Sequence, residues 1–261
     1  MKLVLVQPQL SYAPGTHNLE ALASQLAPLA AGLGPLDVVC LPEHVVIDAS
    51  RVAYREGIAG LARQLGCHVV GGSHHEARGS ERVNCGVVCN AAGEVVSEYE
   101  KLRPYAAERS RVRDGDVLGE VRIGPCHILL LICADFWFSD VFARASALPD
   151  LVLVPAHSVS RKPAPDYSRT LWQHLAVARA YEFGVYVGIS DWAYAKAPGS
   201  LPPSGVAGFA DPTQTAPEQL FTPLGDHSVQ SFELDLNALE SFRSDRRARG
   251  FFWKSPVREA T

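Results

Sequence analysis

Three polar residues follow short apolar runs, at points where buried strands are expected to end. Glu43 closes the run LDVVCLPE, Lys101 closes GEVVSEYEK, and Cys133 closes HILLLIC. In a sheet whose strands run in the same direction, residues at the strand ends can converge on one cleft. Taken singly, each has an ordinary explanation: a solvated or capping glutamate, a surface lysine, and a cysteine packed in a core.

Together, the three side chains could attack a carbonyl or nitrile carbon. A thiol has a pKa of about 8.5, so it is mostly protonated at neutral pH and needs a base or a nearby cation. A carboxylate can remove that proton, and a lysine can stabilise the thiolate and then the oxyanion that forms. No histidine is required, and none of the nine histidines has an obvious Cys–His context.

The elements that would hold these residues alternate between strands and helices, which predicts an α/β protein. Apolar residues at helical spacing predict four helices, over residues 16–29, 50–66, 138–148 and 171–184. Pro28 must kink or shorten the first, and Gly66 ends the second. We expect a single domain over residues 1–261, in which the Pro/Gly-rich segment 194–205 is one long loop.

The middle of the chain departs from this alternation. From His68 to Lys101, strand-like runs are separated by turns that contain glycine and asparagine, and no room is left for helices. This pattern predicts an antiparallel stretch, and therefore a mixed sheet packed by helices.

Composition excludes several classes of protein. The 261 residues are 47% hydrophobic and 20% charged with a formal net charge of −4, and no basic cluster is interleaved with aromatics, so we expect no nucleic-acid partner. The run RSDRRARG at 243–250 is interpreted as solvated surface. No apolar run approaches the ~18 residues of a membrane span, and the start resembles a first strand rather than a signal peptide. We therefore expect a cytoplasmic protein with six reduced cysteines.

The order Glu…Lys…Cys, with the motifs LPE, YEKLRPY and LICADFWF, resembles the nitrilase (carbon–nitrogen hydrolase) superfamily. Further similarities extend over nearly the whole chain in matching order: GGSHHE, VNCGVVCNAAGEVVSEYEK, DLVLVPA, WQHLAVARAYE and GVAGFADP. The resemblance implies a four-layer αββα sandwich. It also implies a homodimer or larger assembly, with the helix after Cys133 and the helix around residues 166–183 at the interface.

The same resemblance implies a role for each candidate residue. Glu43 would be the general base, Cys133 the nucleophile, and Lys101 the cation that stabilises the oxyanion together with the backbone N–H of Ala134. Glu108 matches the second glutamate of the family, which orients the lysine and the substrate nitrogen. The implied activity is hydrolysis of a small linear amide through a cysteine thioester, with release of ammonia or an amine and without metal or cofactor.

The chain departs from the family pattern at several positions. Arg103 stands where the family usually has histidine, Ala134 where it often has tyrosine, and Ser139-Asp140 where it usually has Pro-Glu. Ala207 stands where the family has a small hydroxyl residue in a late Gly-x-Ser strand. A carbamoyl or nitrile hydrolase, and a catalytically altered relative that acts as a binding or assembly protein, therefore remain alternatives.

The residues after Cys133 bear on the substrate. Carbamoylase-like members tend to have arginines where this chain has Phe136 and Trp137, which cannot hold a carboxylate bidentately. Nitrilases typically carry Trp-Glu where this chain has Ala134-Asp135. These differences favour an amide with an uncharged or apolar group near the thiol. Candidate pocket walls are Tyr105, Phe136, Trp137 and His157, although ordinary core packing explains the two aromatics after the cysteine equally well.

A zinc site is a separate alternative. Cys85 and Cys89 lie four residues apart, with His74 and His75 upstream. In a strand this spacing puts both cysteines on one face, but the C-x-x-C turn of common zinc sites is missing. We expect purified protein to contain no metal.

Overall fold

Two mixed β-sheets form the framework of the protein. The computed structural model describes residues 1–195 and 201–252, so residues 196–200 of the predicted loop lie outside it. Within these ranges the first sheet contains β1 (Lys2–Val6), β2 (Val38–Cys40), β3 (His68–Val70), β4 (His74–Arg78), β5 (Glu81–Cys89), β6 (Val95–Glu100) and β13 (Val229–Glu233). The second contains β7 (Gly119–Ile123), β8 (Cys126–Leu130), β9 (Leu151–Pro155), β10 (Tyr186–Ser190), β11 (Gly208–Ala210) and β12 (Phe221–Pro223).

Each sheet has a parallel centre with antiparallel strands added. In the first, β1, β2 and β3 are parallel, and β13 pairs antiparallel with β1. β5 runs antiparallel to β3 and β4 along one edge and to β6 along the other. In the second, β8, β9 and β10 are parallel, and β7, β11 and β12 are antiparallel to their neighbours. The predicted antiparallel stretch and mixed sheet are confirmed.

Alternation along β1 shows how the layers stack. Leu3 and Leu5 belong to the core between the two sheets, where they approach Gly188 of β10 so closely that a side chain there would clash. Val4 and Val6 point the other way and pack with helices on the outer face. Because side chains alternate with a period of two along a strand, one short segment serves both cores.

Four α-helices are described: α1 (His17–Leu26), α2 (Arg51–Leu65), α3 (Asp166–Phe183) and α4 (Leu236–Ala248). α1 and α2 cover the first sheet, and α3 covers the second, which gives the αββα sandwich. α2 has the predicted ends: the Ser50 hydroxyl accepts from the N–H of Ala53, and Gly66 ends the helix at φ +65°. α1 ends before Pro28, where a 3-10 helix, Ala27–Gly32, takes over. None of the helices in residues 1–195 and 201–252 has the length and hydropathy of a membrane span.

Two local predictions are wrong. Residues 138–148 form no α-helix; instead, 3-10 helices Cys133–Trp137 and Ser139–Arg144 meet at Phe138, which is extended. The carboxylates of Asp135 and Asp140 bond to the backbone and guanidinium of Arg103, and these tertiary contacts override the helical spacing.

The basic run at 243–250 is not uniformly solvated surface. Residues 243–248 of the run lie in α4, where Arg243 and Arg246 are only 5% and 3% exposed. The guanidinium of Arg243 donates to the carbonyl oxygens of Pro149 and Gly184 and to the carboxylate of Asp150. Gly184 follows α3, and Pro149 and Asp150 lead directly into β9, so this arginine fastens α4 to the second sheet.

Candidate active site

An ammonium group between two carboxylates lies at the carboxyl ends of the parallel strands. Lys101 follows β6, and its Nζ is 2.6 Å from Glu43 Oε1 and 2.6 Å from Glu108 Oε2. Glu43 follows β2, which runs in the same direction as β6 because both are connected through antiparallel β5. The lysine and both glutamate side chains are less than a tenth exposed. The structure therefore brings together three of the predicted catalytic residues.

Sequence reasoning missed the asparagine that joins the two glutamates. Asn84, fully buried in β5, donates through Nδ2 to Glu43 Oε1 at 2.9 Å and to Glu108 Oε1 at 2.7 Å. A polar amide inside the apolar strand VNCGVVC was the available signal, because a buried amide needs partners. His75 was also missed in this role; its Nε2 lies 3.0 Å from Glu108 Oε1.

The charged groups in this cluster stabilise one another's ionised forms. Burial raises the pKa of Glu43, but the charge of Lys101, its hydrogen bond and the interaction with His44 together outweigh burial and hold that pKa below its usual value. Glu108 behaves similarly: burial is opposed by the hydrogen bond from His75 and by Lys101, and its pKa is lowered. For Lys101 burial lowers the pKa, but Glu43 and the other acidic groups raise it above its usual value. At neutral pH both carboxylates and the ammonium are charged.

Cys133 lies beyond the end of β8, at φ +47° in the left-handed region that residues other than glycine rarely adopt. Such a conformation costs about 1–3 kcal/mol and persists only where the surroundings enforce it. Burial, then the charge of Glu43, raises the pKa of the thiol well above its usual value, against the opposing effect of Lys101. The resting residue is therefore a thiol beside an ionised carboxylate, and it needs a base to attack.

A cavity of about 650 Å³ opens at Cys133 and Ala134. Three of the predicted walls, Tyr105, Trp137 and His157, line it. The remaining lining residues are Phe138, Ser158, Val159, Arg161, Lys162, Tyr167, Ser168, Leu171 and Trp172.

The prediction that Phe136 lines the pocket is wrong. Its side chain is fully buried and packs against Phe142 and Trp172, with ring centroids 6.3 and 6.1 Å away. Trp172, which does line the cavity, stacks on it. The two aromatic residues after the Cys-x-Asp segment therefore have different surroundings. Phe136 packs in the core, whereas Trp137 is 40% exposed and faces the cavity.

His157 connects Glu43 to the cavity wall. Its backbone N–H donates to Glu43 Oε2 at 3.1 Å, and its carbonyl oxygen accepts a 3.8 Å bond from Cys133 Sγ. Its ring bonds to the Tyr12 hydroxyl at 2.9 Å and packs on Trp192. Burial lowers the pKa of His157, so its imidazole is neutral at the cavity wall.

Two departures from the family pattern pair with each other. Arg103 forms a two-pronged ion pair with Asp140, with Nη1–Oδ1 and Nη2–Oδ2 distances of 2.9 and 2.5 Å. Next to it, the carboxylate of Asp135 accepts the N–H groups of Leu102 and Arg103 at 3.1 and 2.8 Å. Burial raises the pKa of Asp135 to about 7, although both N–H donors favour its ionised form. These bonds fasten the loop that carries Lys101 to the loop that carries Cys133.

The four residues of the alternative zinc site do not come together. His74 and His75 are neighbours in β4, so their side chains point to opposite faces of the sheet. His74 lies near Glu76 and Cys85, whereas His75 reaches Glu108 and, through ring contact, His44. Cys89, at the far end of β5, pairs with β3.

Comparisons with known proteins identify the family and the fold. The family model described as carbon-nitrogen hydrolase matches residues 5–222. A search of curated proteins found no match. Among solved structures, the fold is similar to that of a CN-hydrolase superfamily protein from Xanthomonas campestris, with 22% identity, a TM-score of 0.75 and coverage of 95% of this chain and 94% of the other.

Two further structures have the same fold. A member of branch 10 of the nitrilase superfamily from Saccharomyces cerevisiae is 20% identical, with a TM-score of 0.74 and coverage of 100% of this chain and 96% of the other. An amidase from Nesterenkonia sp. is 20% identical, with a TM-score of 0.73 and coverage of 96% and 99%. With the family model matching most of the sequence, the chain belongs to the carbon–nitrogen hydrolase family of the nitrilase superfamily.

Proposed function

We propose that the protein hydrolyses the C–N bond of small linear amides through a thioester on Cys133. The observation that carries this proposal is the ammonium of Lys101 held between Glu43 and Glu108, beside a protonated thiol that opens onto a cavity. A solved Nesterenkonia amidase variant shows acrylamide added at its active-site cysteine. This similarity supports the assignment of Cys133 as the nucleophile here.

In the first half-reaction, Glu43 accepts the thiol proton as Cys133 Sγ bonds to the amide carbonyl carbon. The carbonyl oxygen becomes an oxyanion, which Lys101 and the N–H of Ala134 stabilise. The proton then passes from Glu43 to the nitrogen, the C–N bond breaks, and ammonia or an amine leaves a thioester. Glu108 keeps Lys101 in place through its 2.6 Å contact.

In the second half-reaction, Glu43 acts as a base again. It removes a proton from a water molecule that attacks the thioester carbon, and the second oxyanion forms in the same position as the first. Collapse of that intermediate breaks the C–S bond, and the proton returns to sulfur. The carboxylic acid leaves, and the resting thiol is restored.

The pH dependence of kcat/KM should have an acid limb below the usual glutamate pKa of about 4.3 and no limb near the usual thiol value of about 8.5. Glu43 must be ionised, and because its pKa is lowered, activity is lost only as pH falls through that lowered value. The thiol stays protonated past pH 8.5 because its pKa is raised. Initial rates with one amide from about pH 3, below the usual glutamate pKa, to pH 10 measure this; a rise in rate with a midpoint near 8.5 would contradict a protonated resting thiol. A step near pH 7 would assign a contribution to Asp135.

The cavity walls suggest which amides are preferred. Trp137 and Trp172 make the wall near the thiol apolar, and Arg161 and Lys162 add two positive charges. Arg161 Nε donates to the Tyr105 hydroxyl at 3.1 Å, and within residues 1–195 and 201–252 no carboxylate pairs with either cation. We propose an amide with an apolar segment at the reacting end and an anionic group at the other end.

A substrate screen tests this preference. Pairs of short amides that differ only in a terminal carboxylate, with carbamoyl compounds and nitriles alongside, should show higher kcat/KM for the anionic amide. Arg161→Gln should reduce that advantage about 10-fold, the scale of one charge-assisted hydrogen bond. Arg122→Gln, which removes an exposed charge outside the cavity, is the control. Equal turnover of both members of each pair would contradict the anionic substrate class and leave amide hydrolysis itself intact.

We also propose that the protein forms a homodimer. Its two elements expected at an interface, the segment after Cys133 and α3, expose Trp137, Phe138, Tyr167, Leu171 and Tyr181. Four of these five residues also line the cavity, and exposed large apolar residues at the rim of such a site are typical of contact surfaces. Size-exclusion chromatography with light scattering should give twice the 28.2 kDa of one chain; a monomer at micromolar concentration would contradict this.

A further inference from the structure

We propose that His44, His75 and Glu108 form a binding site for a divalent transition metal ion such as Zn²⁺, and that occupancy reversibly inhibits the enzyme. The binding site stands on its own geometry. The inhibition also rests on the catalytic roles proposed for Glu43, Lys101 and Glu108.

The three donor groups lie near enough to one another to converge on one ion. The two imidazole nitrogens and the carboxylate oxygen all lie within 4.8 Å of one another, and His75 Nε2 is 3.0 Å from Glu108 Oε1. The rings of His44 and His75 meet edge to face, with centroids 4.7 Å apart. Tetrahedral zinc with Zn–N and Zn–O distances of about 2.0–2.2 Å places its ligands about 3.4 Å apart, so binding requires shifts of around an ångström or less.

The donor set also suits the ion. Two neutral imidazoles and one carboxylate, with a fourth position open to water, are a known ligand set for Zn²⁺. The side chains of His44, His75 and Glu108 are 19%, 28% and 9% exposed, so an ion can enter from solvent and keep a water ligand. To bind the ion through Nε2, His75 must carry its ring proton on Nδ1, so the hydrogen bond to Glu108 Oε1 is replaced by two bonds to the ion, and no electron transfer is involved.

A second group, His74, Glu76 and Cys85, is less suitable. Its three residues are buried, and Glu76 already pairs with Arg78 at 2.9 Å and Arg51 at 3.6 Å. Two guanidinium cations there oppose a divalent ion and face one carboxylate, whereas near the first group the single ammonium of Lys101 is balanced by the two carboxylates of Glu43 and Glu108. Because β4 turns adjacent histidines to opposite faces, His74 and His75 provide a matched pair of sites for a test.

Metal binding at the first group would act on the catalytic residues directly. His44 Nε2 lies 3.7 Å from Glu43 Oε1, so a dication bound there stabilises the Glu43 carboxylate and weakens it as a base. The ion also competes with Asn84 for Glu108 Oε1. Both effects lower kcat, because the residues that accept the proton and hold Lys101 are disturbed.

Calorimetric titration with zinc sulfate tests the binding site without activity. The Cys133→Ala protein is used so that the catalytic thiolate cannot bind the ion. We expect one site per chain, unchanged in Cys133→Ala/His74→Asn and weakened at least about 10-fold in Cys133→Ala/His75→Asn and Cys133→Ala/His44→Asn. Unchanged affinity in either of the last two, or loss of binding in the His74 variant, would overturn the assignment.

Inhibition is tested separately with Cys133 in place. Zn²⁺ should reduce kcat and EDTA should restore it, and each variant is compared with its own rate in the absence of metal. His44→Asn should require at least about 10-fold more Zn²⁺ for half inhibition, whereas His74→Asn should match the parent. Binding without inhibition would overturn the inhibitory role. Absence of amide turnover before zinc is added would contradict the proposed function, and the calorimetric result would still decide the site.

Discussion

Cys133→Ala is expected to abolish amide turnover, with kcat reduced by about 10,000-fold or more, the scale seen when a hydrolase loses its nucleophile. In the proposed mechanism the thiol forms the thioester, so no other side chain can replace it. Steady-state rates with the best amide from the screen measure the effect, and active-site titration of the parent fixes the enzyme concentration.

Cys85→Ala is the matched control, because Cys85 is also buried and lies within the same protein but outside the cavity. It should keep most of the activity. Both variants should unfold cooperatively in urea, which separates a chemical loss from a folding defect. Comparable turnover by Cys133→Ala and the parent would exclude Cys133 as the nucleophile.

Lys101→Met is expected to have the second largest effect, on stability and activity together. The variant leaves the buried carboxylates of Glu43 and Glu108 without the cation between them, and breaking a buried ion pair in this way costs about 3–5 kcal/mol. Loss of one oxyanion-stabilising group should lower kcat by a further factor of about 100–1,000. Lys162→Met, which removes an exposed lysine at the cavity, is the control for stability.

The pH dependence of the free energy of unfolding should differ between Lys101→Met and the parent. In the parent the pKa values of Glu43 and Glu108 are lowered, so their contribution to stability is present above the unfolded value of about 4.3 and is lost as pH falls through the folded values. Without Lys101, burial and mutual repulsion raise those values, so the variant should gain stability relative to the parent as pH falls from 7 to 5. Parallel curves for parent and variant would contradict the buried charge cluster.

Much of the fold follows from local sequence signals. The turns between His68 and Lys101 leave no room for helices, and the structure places antiparallel strands there. Ser50 and Gly66 set the ends of α2 because capping depends on residues at those positions. The 3-10 helices after Ile132 were not predictable in this way, since they depend on bonds from Arg103 to Asp135 and Asp140, which lie 32 and 37 residues further along the chain.

The residues of the candidate site were also only partly predictable from the sequence. Strand ends and residue types were sufficient to select Glu43, Lys101 and Cys133. They did not identify Asn84, whose role depends on two carboxylates delivered by other elements. Spacing also could not separate Phe136 from Trp137, because α3, which supplies Trp172, decides which ring faces the cavity.

The central claim is that Cys133 carries the acyl group during turnover, and mass spectrometry of the acid-quenched enzyme tests it most directly. Enzyme mixed with a saturating amide and quenched within the first turnover should gain the mass of one acyl group, located by peptide mapping on Cys133 alone. Cys133→Ala should gain none. An active enzyme whose acyl group is on a different residue would contradict the mechanism.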